Sequence, residues 1–557
     1  MRKKKIILYT LLLISCLSYE FLFSNSLFLK GKNSYIFSIP RLLLYILLFF
    51  IASRVSNRII NNRIKFEENK KKKNIVDAFL IISFIFIILA DLLYLVLGKT
   101  NVMSQGIILI LLCYIVFLFL FYGTNYKLNI LLLCAVCFIY SMVVTPMHAI
   151  DETSHFLSSY NISRFDYNWD NGYEFDTNLY TITRFKNYSF NEELFKHYTK
   201  EKMTNKDMWY KPYKICKYMY IPSSIGIFVS EKLNGTIMDT FYLGRFFNSL
   251  ITIVGIALLL KITNYHKNIY ISILTTPYFL LLGSTYNVDA IGNICVLLFV
   301  SYIINLYKSK DKYLNKNNTL IITVLMLSIC LYKGASYFLI FLLLFLIKNK
   351  IPKKYKWLSI IYFIVFSLII YSQMKPDSLN TGDVSITGNP NTKEQLKFLF
   401  SSPIVFIKVY GLHFINTILN VSYYEGLLGT YFYPLCSKYF LGFYLIYLVY
   451  MTLTEDNEVF NIKDKIYNII VFLLIFFFTS TGLYLGYTGV GRINIEGYQT
   501  RYLFPILPLL LITLSNKRIK IVKDEKYDII NYGLILFLNI SFIIIIVFFN
   551  AYEYWIK

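Results

Sequence analysis

The segment Thr145-Pro-Met-His-Ala-Ile-Asp-Glu-Thr-Ser-His155 sets Asp151 and Glu152 just ahead of His155. Pro146 ends any helix that precedes it. If the chain then restarts as a short helix, Asp151 and His155 stand four apart on one face. A carboxylate and an imidazole so placed suit removal of a proton from an acceptor hydroxyl. They also suit a divalent cation, Mg or Mn, held by oxygen and imidazole donors with Asp151 as a ligand. Capping of a helix N-terminus by Asp151 or Glu152 accounts for the same spacing, and both readings stand at this point.

Three further groups carry chemistry-bearing side chains. Arg245 lies within an apolar run, in Tyr242-Leu-Gly-Arg-Phe-Phe-Asn248. A guanidinium there is expensive unless paired or wetted, so it either snorkels as an anchor or meets a lipid phosphate through its fork. Asn287 and Asp289 sit in Ser284-Thr-Tyr-Asn-Val-Asp289, where helix capping competes with a functional role. The stretch Gly491-Arg-Ile-Asn-Ile-Glu-Gly-Tyr-Gln-Thr-Arg-Tyr502 gathers Arg492, Glu496, Gln499, Arg501 and Tyr502. Two arginines bracketing a carboxylate and an amide would grip a phosphate or a sugar; an interfacial ion-pair loop is the alternative. Lys333, beside Gly334, reads as a snorkelling side chain. Trp209-Tyr210 and Tyr218 to Tyr220 are candidates for stacking on a sugar. Asp91, inside an apolar run, has no such reading.

The elements that must position these groups are membrane helices. Of 557 residues 56% are apolar or aromatic and only 16% are charged, against about 25% charged in soluble chains. The apolar residues fall into runs near the roughly 20-residue length that crosses a bilayer. Runs near 6 to 24, 36 to 54, 76 to 97, 105 to 122 and 129 to 146 come first. They are followed by runs near 239 to 260, 268 to 283, 287 to 307, 318 to 333, 335 to 348, 356 to 373, 434 to 452, 466 to 487, 501 to 516 and 529 to 549. The reading is an all-α polytopic protein of about fifteen spans. The first run, behind Met1-Arg-Lys-Lys-Lys5, reads as an uncleaved helix, with a cleavable signal ending at Leu13-Ile-Ser-Cys16 as the competing reading.

The net charge of +24 comes from Lys and Arg gathered in alternate short loops, which is a topogenic pattern and not a nucleic-acid footprint. It puts the N-terminus in the cytoplasm of a multi-pass protein of the plasma membrane. Basic loops at Arg54 to Lys73, Lys308 to Lys316, Lys348 to Lys356 and Lys517 to Lys523 fall inside. The segments near 147 to 236, 374 to 433 and 488 to 500 then lie outside, and with them Asp151, Asp289 and Arg501. Within 147 to 236 the 11 basic and 11 acidic residues cancel. Glu394 to Asn420 reads as an interfacial helix on that outer surface, because charges interrupt it. The eight cysteines show no metal-like spacing with His and no disulfide framework.

Taken in order, Thr145 to His155 with its Asp-Glu-x-x-His core, Tyr220-Ile-Pro222, Arg245-Phe-Phe-Asn248, Tyr286-Asn-Val-Asp289, Lys333-Gly-Ala-Ser-Tyr337 and Gly497-Tyr-Gln-Thr-Arg-Tyr502 resemble an uncharacterised family of bacterial polytopic membrane proteins. That family is related to the GT-C superfamily of lipid-linked-sugar glycosyltransferases. The likeness covers about residues 130 to 515. It departs from the family at Ile150, where Pro is usual, and at Thr500, where Gly is usual. The resemblance implies a GT-C-like core over 126–516; the N-terminal helices over 1–125, of unknown role, lie outside the shared pattern, and a loop and last helix follow over 517–557. It implies a polyprenyl-phosphate-linked sugar as donor and a wall or surface glycan as acceptor. Asp151 would be base or metal ligand, Glu152 and His155 would support it, and Arg245 or Arg501 would meet the donor phosphate. A lipid-linked glycan flippase and a glycan polymerase or ligase are the alternatives.

Overall fold

The computed structural model describes residues 151–165, 217–352, 390–420 and 459–515, with isolated positions at 137–149, 364 and 445–452. The runs expected before residue 147 and those near 356 to 373, 434 to 452 and 529 to 549 lie wholly or largely outside the described residues, as do Trp209-Tyr210 and Asp91. Two units divide the chain, one of residues 1–139 with 523–556 and one of residues 140–522, and the latter holds the elements below.

Every regular element among the described residues is helical. Pro146 and Met147 form a turn, after which the chain does restart as α1 (Glu152–Ser163). It packs against α2 (Ile221–Lys232). α3 (Ile237–Ile262) opens on a capping box: Thr236 Oγ1 accepts the Asp239 N–H at 3.3 Å, and Asp239 Oδ2 accepts the Thr236 N–H at 2.8 Å. The run expected as one span near 268 to 283 is two short helices, α4 (Lys267–Leu274) and α5 (Pro277–Ser284). Pro277 cannot continue α4, and Thr276 Oγ1 caps the new helix by accepting the Phe279 N–H.

α6 (Asp289–Lys308) is followed by α7 (Lys316–Tyr337), which breaks at Lys333 (φ −131°, ψ 57°) and runs on as a tighter 3₁₀ segment, Phe338–Lys350. The stretch expected as one interfacial helix is instead α8 (Thr392–Leu399) and α9 (Pro403–Phe414), the latter extended by the π turn Ile415–Leu419. The pair bends by 104°, because Pro403 starts a new helix and Ser402 Oγ accepts the Val405 N–H. α10 (Ile462–Gly486) and α11 (Leu507–Leu514) complete the described set.

Of these, α3, α6 and α10 are each long and apolar enough to cross a membrane, and the bent pair would make a fourth if it is one span. They coincide with three of the expected runs. The 20 residues of α6 cover roughly 30 Å, the thickness of the hydrocarbon layer. Exposed apolar side chains recur at helical spacing on their outer faces: Leu250, Val254 and Leu258 on α3, and Ile462, Ile466, Ile470 and Leu474 on α10. Such stripes are costly against water and free of cost against lipid.

Hydrogen bonds fix which helix ends lie together. At one end Asn305 Nδ2 donates to Ile262 O at 2.7 Å, Lys350 Nζ to Ser309 O at 2.6 Å, and Lys465 Nζ to Ser515 O at 2.5 Å. Lys308, Lys310, Lys312, Lys348, Lys350 and Lys465 all belong to that end. At the opposite end of α6, the N-terminus of α1, the break in α7 and the turn before α11 converge on Asp289.

Candidate functional site

Adjacent in sequence, Asp151 and Glu152 part company in the structure. Glu152 opens α1 and points inward, where Arg245 Nε reaches its Oε1 at 2.8 Å and Arg245 Nη2 its Oε2 at 2.7 Å. Both side chains are wholly buried. Arg245 Nη1 donates to Ser141 O at 3.0 Å and Val144 O at 2.5 Å, and the guanidinium lies over the Phe241 ring at 4.5 Å. Glu152 also accepts the backbone N–H groups of Ala149 and Tyr286, each at 3.3 Å. This bidentate pair staples α1, α3 and the turn before α6 into one body. Arg245 neither snorkels nor faces outward.

Asp151 holds the N-cap position in left-handed conformation (φ 56°, ψ 16°), yet its side chain caps nothing. Its Oδ2 instead accepts from Arg501 Nη2 at 3.3 Å. Arg501 is 7% exposed and Asp151 50%, so the arginine forms the floor and the aspartate the rim. Arg501 Nε lies 3.3 Å from Asp289 Oδ2 on its other side. Asp289 Oδ1 accepts from Lys333 Nζ at 2.6 Å and from the Tyr332 hydroxyl at 2.7 Å. Two expectations are thereby corrected. Asp289 is not a helix cap, since Asn287 Oδ1 takes the Asp289 N–H at 2.7 Å and leaves the carboxylate to the cations. Lys333 does not snorkel, because the break in α7 turns it onto Asp289.

His155 lies behind this row. Its Nδ1 is 2.6 Å from the Tyr220 hydroxyl and its Nε2 3.4 Å from Asn287 Nδ2. Burial lowers its pKa to about 4, against the pull of the Asp151 and Asp289 carboxylates, so the ring is neutral near pH 7. The expected pairing of Asp151 and His155 as two ligands of one cation does not fit this arrangement. Both imidazole nitrogens are engaged, Arg501 and Lys333 occupy the carboxylates, and among the described residues no three His, Cys, Asp or Glu side chains are grouped to hold an ion. These residues do not fit a resident Mg or Mn.

Of the loop residues, Tyr502 joins the cluster: Lys333 Nζ lies 5.2 Å from its ring centroid and Arg501 Cζ 5.6 Å. Gln499 precedes the 3₁₀ turn Thr500–Tyr502, and its Oε1 is buried without a hydrogen-bond partner. Arg492 stays exposed on the loop, its carbonyl accepting the Tyr484 hydroxyl at 2.7 Å, while Glu496 is half-buried with its N–H on Thr488 Oγ1. The grouping is thus the reverse of the expected one, with a single arginine between two carboxylates. Sequence reasoning missed the contacts of the Tyr220 hydroxyl with His155 and of the Tyr332 hydroxyl with Asp289; Tyr220 stands out only as a stacking candidate and in the Tyr220-Ile-Pro222 motif, and among 50 tyrosines nothing singles out Tyr332.

The structure brings Asp151, His155, Asn287, Asp289, Lys333, Arg501 and Tyr502 to one end of the helices, with Glu152 and Arg245 as the staple beneath. Residues 131–510, which include all of them, match the family model described as Predicted membrane protein (DUF2142). No curated protein and no solved structure matches the chain.

Proposed function

The chain belongs to the DUF2142 family of predicted membrane proteins, and from that premise we propose that it is a membrane glycosyltransferase. In this reading it moves a sugar from a polyprenyl-phosphate donor to a wall or surface glycan, outside the cytoplasm, on a GT-C-like core of a protein with about fifteen spans. The observation that carries it is the pairing of a half-exposed carboxylate, Asp151, with a sunken guanidinium, Arg501, at 3.3 Å. Glycosyl transfer needs just such a base and anion site side by side.

Asp151 takes the proton of the acceptor hydroxyl as that oxygen attacks the anomeric carbon. The bond from this carbon to the donor's phosphate oxygen breaks, and the polyprenyl phosphate leaves with the electron pair. Arg501 and Lys333 balance the charge on the departing phosphate. Asp289 holds both cations in place, and neutral His155, set against the Tyr220 hydroxyl, meets Asn287, whose side-chain oxygen accepts the Asp289 N–H. Glu152 and Arg245 position the site without touching substrate. The break in α7 at Lys333 favours one second reading, a lipid-linked glycan transporter, since carriers use interrupted helices at their binding sites.

Replacing Asp151 by Asn separates the two. A transferase loses turnover about 10²-fold or more, as expected for removal of a general base, while still binding donor; a transporter keeps most of its flux. Transfer near the original rate in Asp151→Asn membranes, assayed with radiolabelled polyprenyl-phosphate sugar, sinks the proposal.

A further inference from the structure

Two arginines meet carboxylates in this protein, and their bonding differs. Arg245 is saturated by Glu152 and two carbonyl oxygens at 2.5–3.0 Å. Arg501 is also buried, but its two carboxylate contacts stretch to 3.3 Å, beyond the roughly 2.7–2.9 Å of a well-made charge-assisted bond. Its Nη1 is buried with no hydrogen-bond partner, and its Nε approaches Asp289 without hydrogen-bond alignment. An unpaired N–H of a buried guanidinium costs about as much as a lost charged hydrogen bond. Arg501 is therefore under-bonded on its Nη1 and Nη2 edge, the edge toward Asp151.

Asp151 is the replaceable partner there. It is half exposed, so its carboxylate has water to go to, whereas Asp289 is buried and pinned by Tyr332 and Lys333. A phosphate oxygen pair spans the two Nη atoms of a guanidinium, as a single carboxylate oxygen at 3.3 Å does not. We propose that Asp151 is a built-in placeholder: the two unesterified oxygens of a phosphate exchange for it on the Nη edge of Arg501, and the exchange releases the Asp151 oxygen to face the acceptor. The inference rests on the transferase reading and deepens it. The base is tied down while the donor site is empty and freed only when donor phosphate arrives, so that acceptor activation and donor binding are one event.

If two anions compete for one guanidinium, removing the resident one must tighten the other. The full chain, purified in detergent, is titrated with geranyl phosphate and separately with inorganic phosphate. Asn tolerates the left-handed backbone of position 151 as Asp does, so Asp151→Asn keeps the turn. It binds geranyl phosphate roughly tenfold more tightly than the unaltered protein, a coupling of ordinary size for neighbouring charges. The gain disappears in an Arg501→Gln background; should that variant not fold, Arg501→Lys keeps the charge, loses the fork and loses the gain. A gain with geranyl phosphate and none with inorganic phosphate identifies a lipid ligand, and an equal gain identifies free phosphate; either supports the exchange. Unchanged or weaker binding in Asp151→Asn overturns it, as does an equal gain without Arg501, which reports only a diffuse field. These outcomes leave the transferase reading standing if transfer still requires Asp151. Loss of that requirement, with the tenfold gain intact, sinks the transferase and leaves the exchange.

Discussion

Taking His155 out of water disfavours its charged form, and the neighbouring carboxylates of Asp151 and Asp289 only partly restore it, so its pKa falls from 6.5 to about 4. Because the folded value lies below the unfolded one, the unfolded chain binds the extra proton first. The stability that neutral His155 contributes is fully present above about pH 6.5 and is lost as the pH falls toward 4. The loss amounts to on the order of 3 kcal/mol at most. Thermal unfolding of the protein and of His155→Gln across that window checks it: the unaltered protein should lose its advantage on acidification, and parallel curves would contradict the assignment. At this scale the sequence identified the right side chains more often than their partners. Asp151, Arg501 and Asp289 are visible as polar intruders near apolar runs, but ion pairs such as Arg501 with Asp151 join residues hundreds of positions apart. Spacing within one helix predicts an Asp151–His155 pairing, but in the fold Asp151 meets Arg501 while His155 meets Tyr220 and Asn287.

Long apolar runs are legible as helices because a bilayer demands length and internal hydrogen bonding, and α3, α6 and α10 fall where hydropathy puts them. The breaks are less legible. Thr-Pro at 276–277 and Ser-Pro at 402–403 are plain stop and start signals, yet apolar content bridges them and each stretch reads as one helix. The break at Lys333 has no proline, yet the short apolar runs at 318 to 333 and 335 to 348 part there and fit one helix broken around Gly334. What holds it is the reach of Lys333 and Tyr332 to Asp289, which the sequence does not show. Gly292 makes that reach possible, since a Cβ on it would overlap the Tyr332 ring. Gly292→Ala should therefore do more than crowd α6 against α7. Overpacking of this kind costs about 1–3 kcal/mol, and displacing Tyr332 also strips a hydrogen bond from Asp289, loosening its hold on Arg501. A fall in both unfolding temperature and affinity for geranyl phosphate is expected. Tyr332→Phe, which keeps the ring and drops the hydroxyl, should reproduce the affinity loss with little change in unfolding temperature; full affinity in both variants would remove Tyr332 from the site.

Across the whole molecule, the lysine-rich end and the Arg501 end lie on opposite ends of α6, a separation of roughly 30 Å for its 20 residues. On the proposed reading the positive-inside rule assigns the lysine end to the cytoplasm and the Asp151 end to the outside, where the proposed lipid-linked donor would meet a surface glycan. α6 meets α10 at the lysine end through the Tyr307 hydroxyl, which donates to Asp464, and meets the 3₁₀ segment there through Lys350, which donates to Leu306 O. Asn494 and Lys310 are exposed at the two ends and serve as reporters. In intact cells Asn494→Cys should react with a membrane-impermeant maleimide, and Lys310→Cys should react only after permeabilisation. Among the described residues Cys137 and Cys330 are buried and Cys295 is partly buried, so each labelling is read against the unaltered protein, which carries the native cysteines. The reverse labelling pattern would put Asp151 in the cytoplasm. There a base facing the acceptor would meet nucleotide-linked rather than lipid-linked sugars, and the donor class proposed for this site would have to change with it.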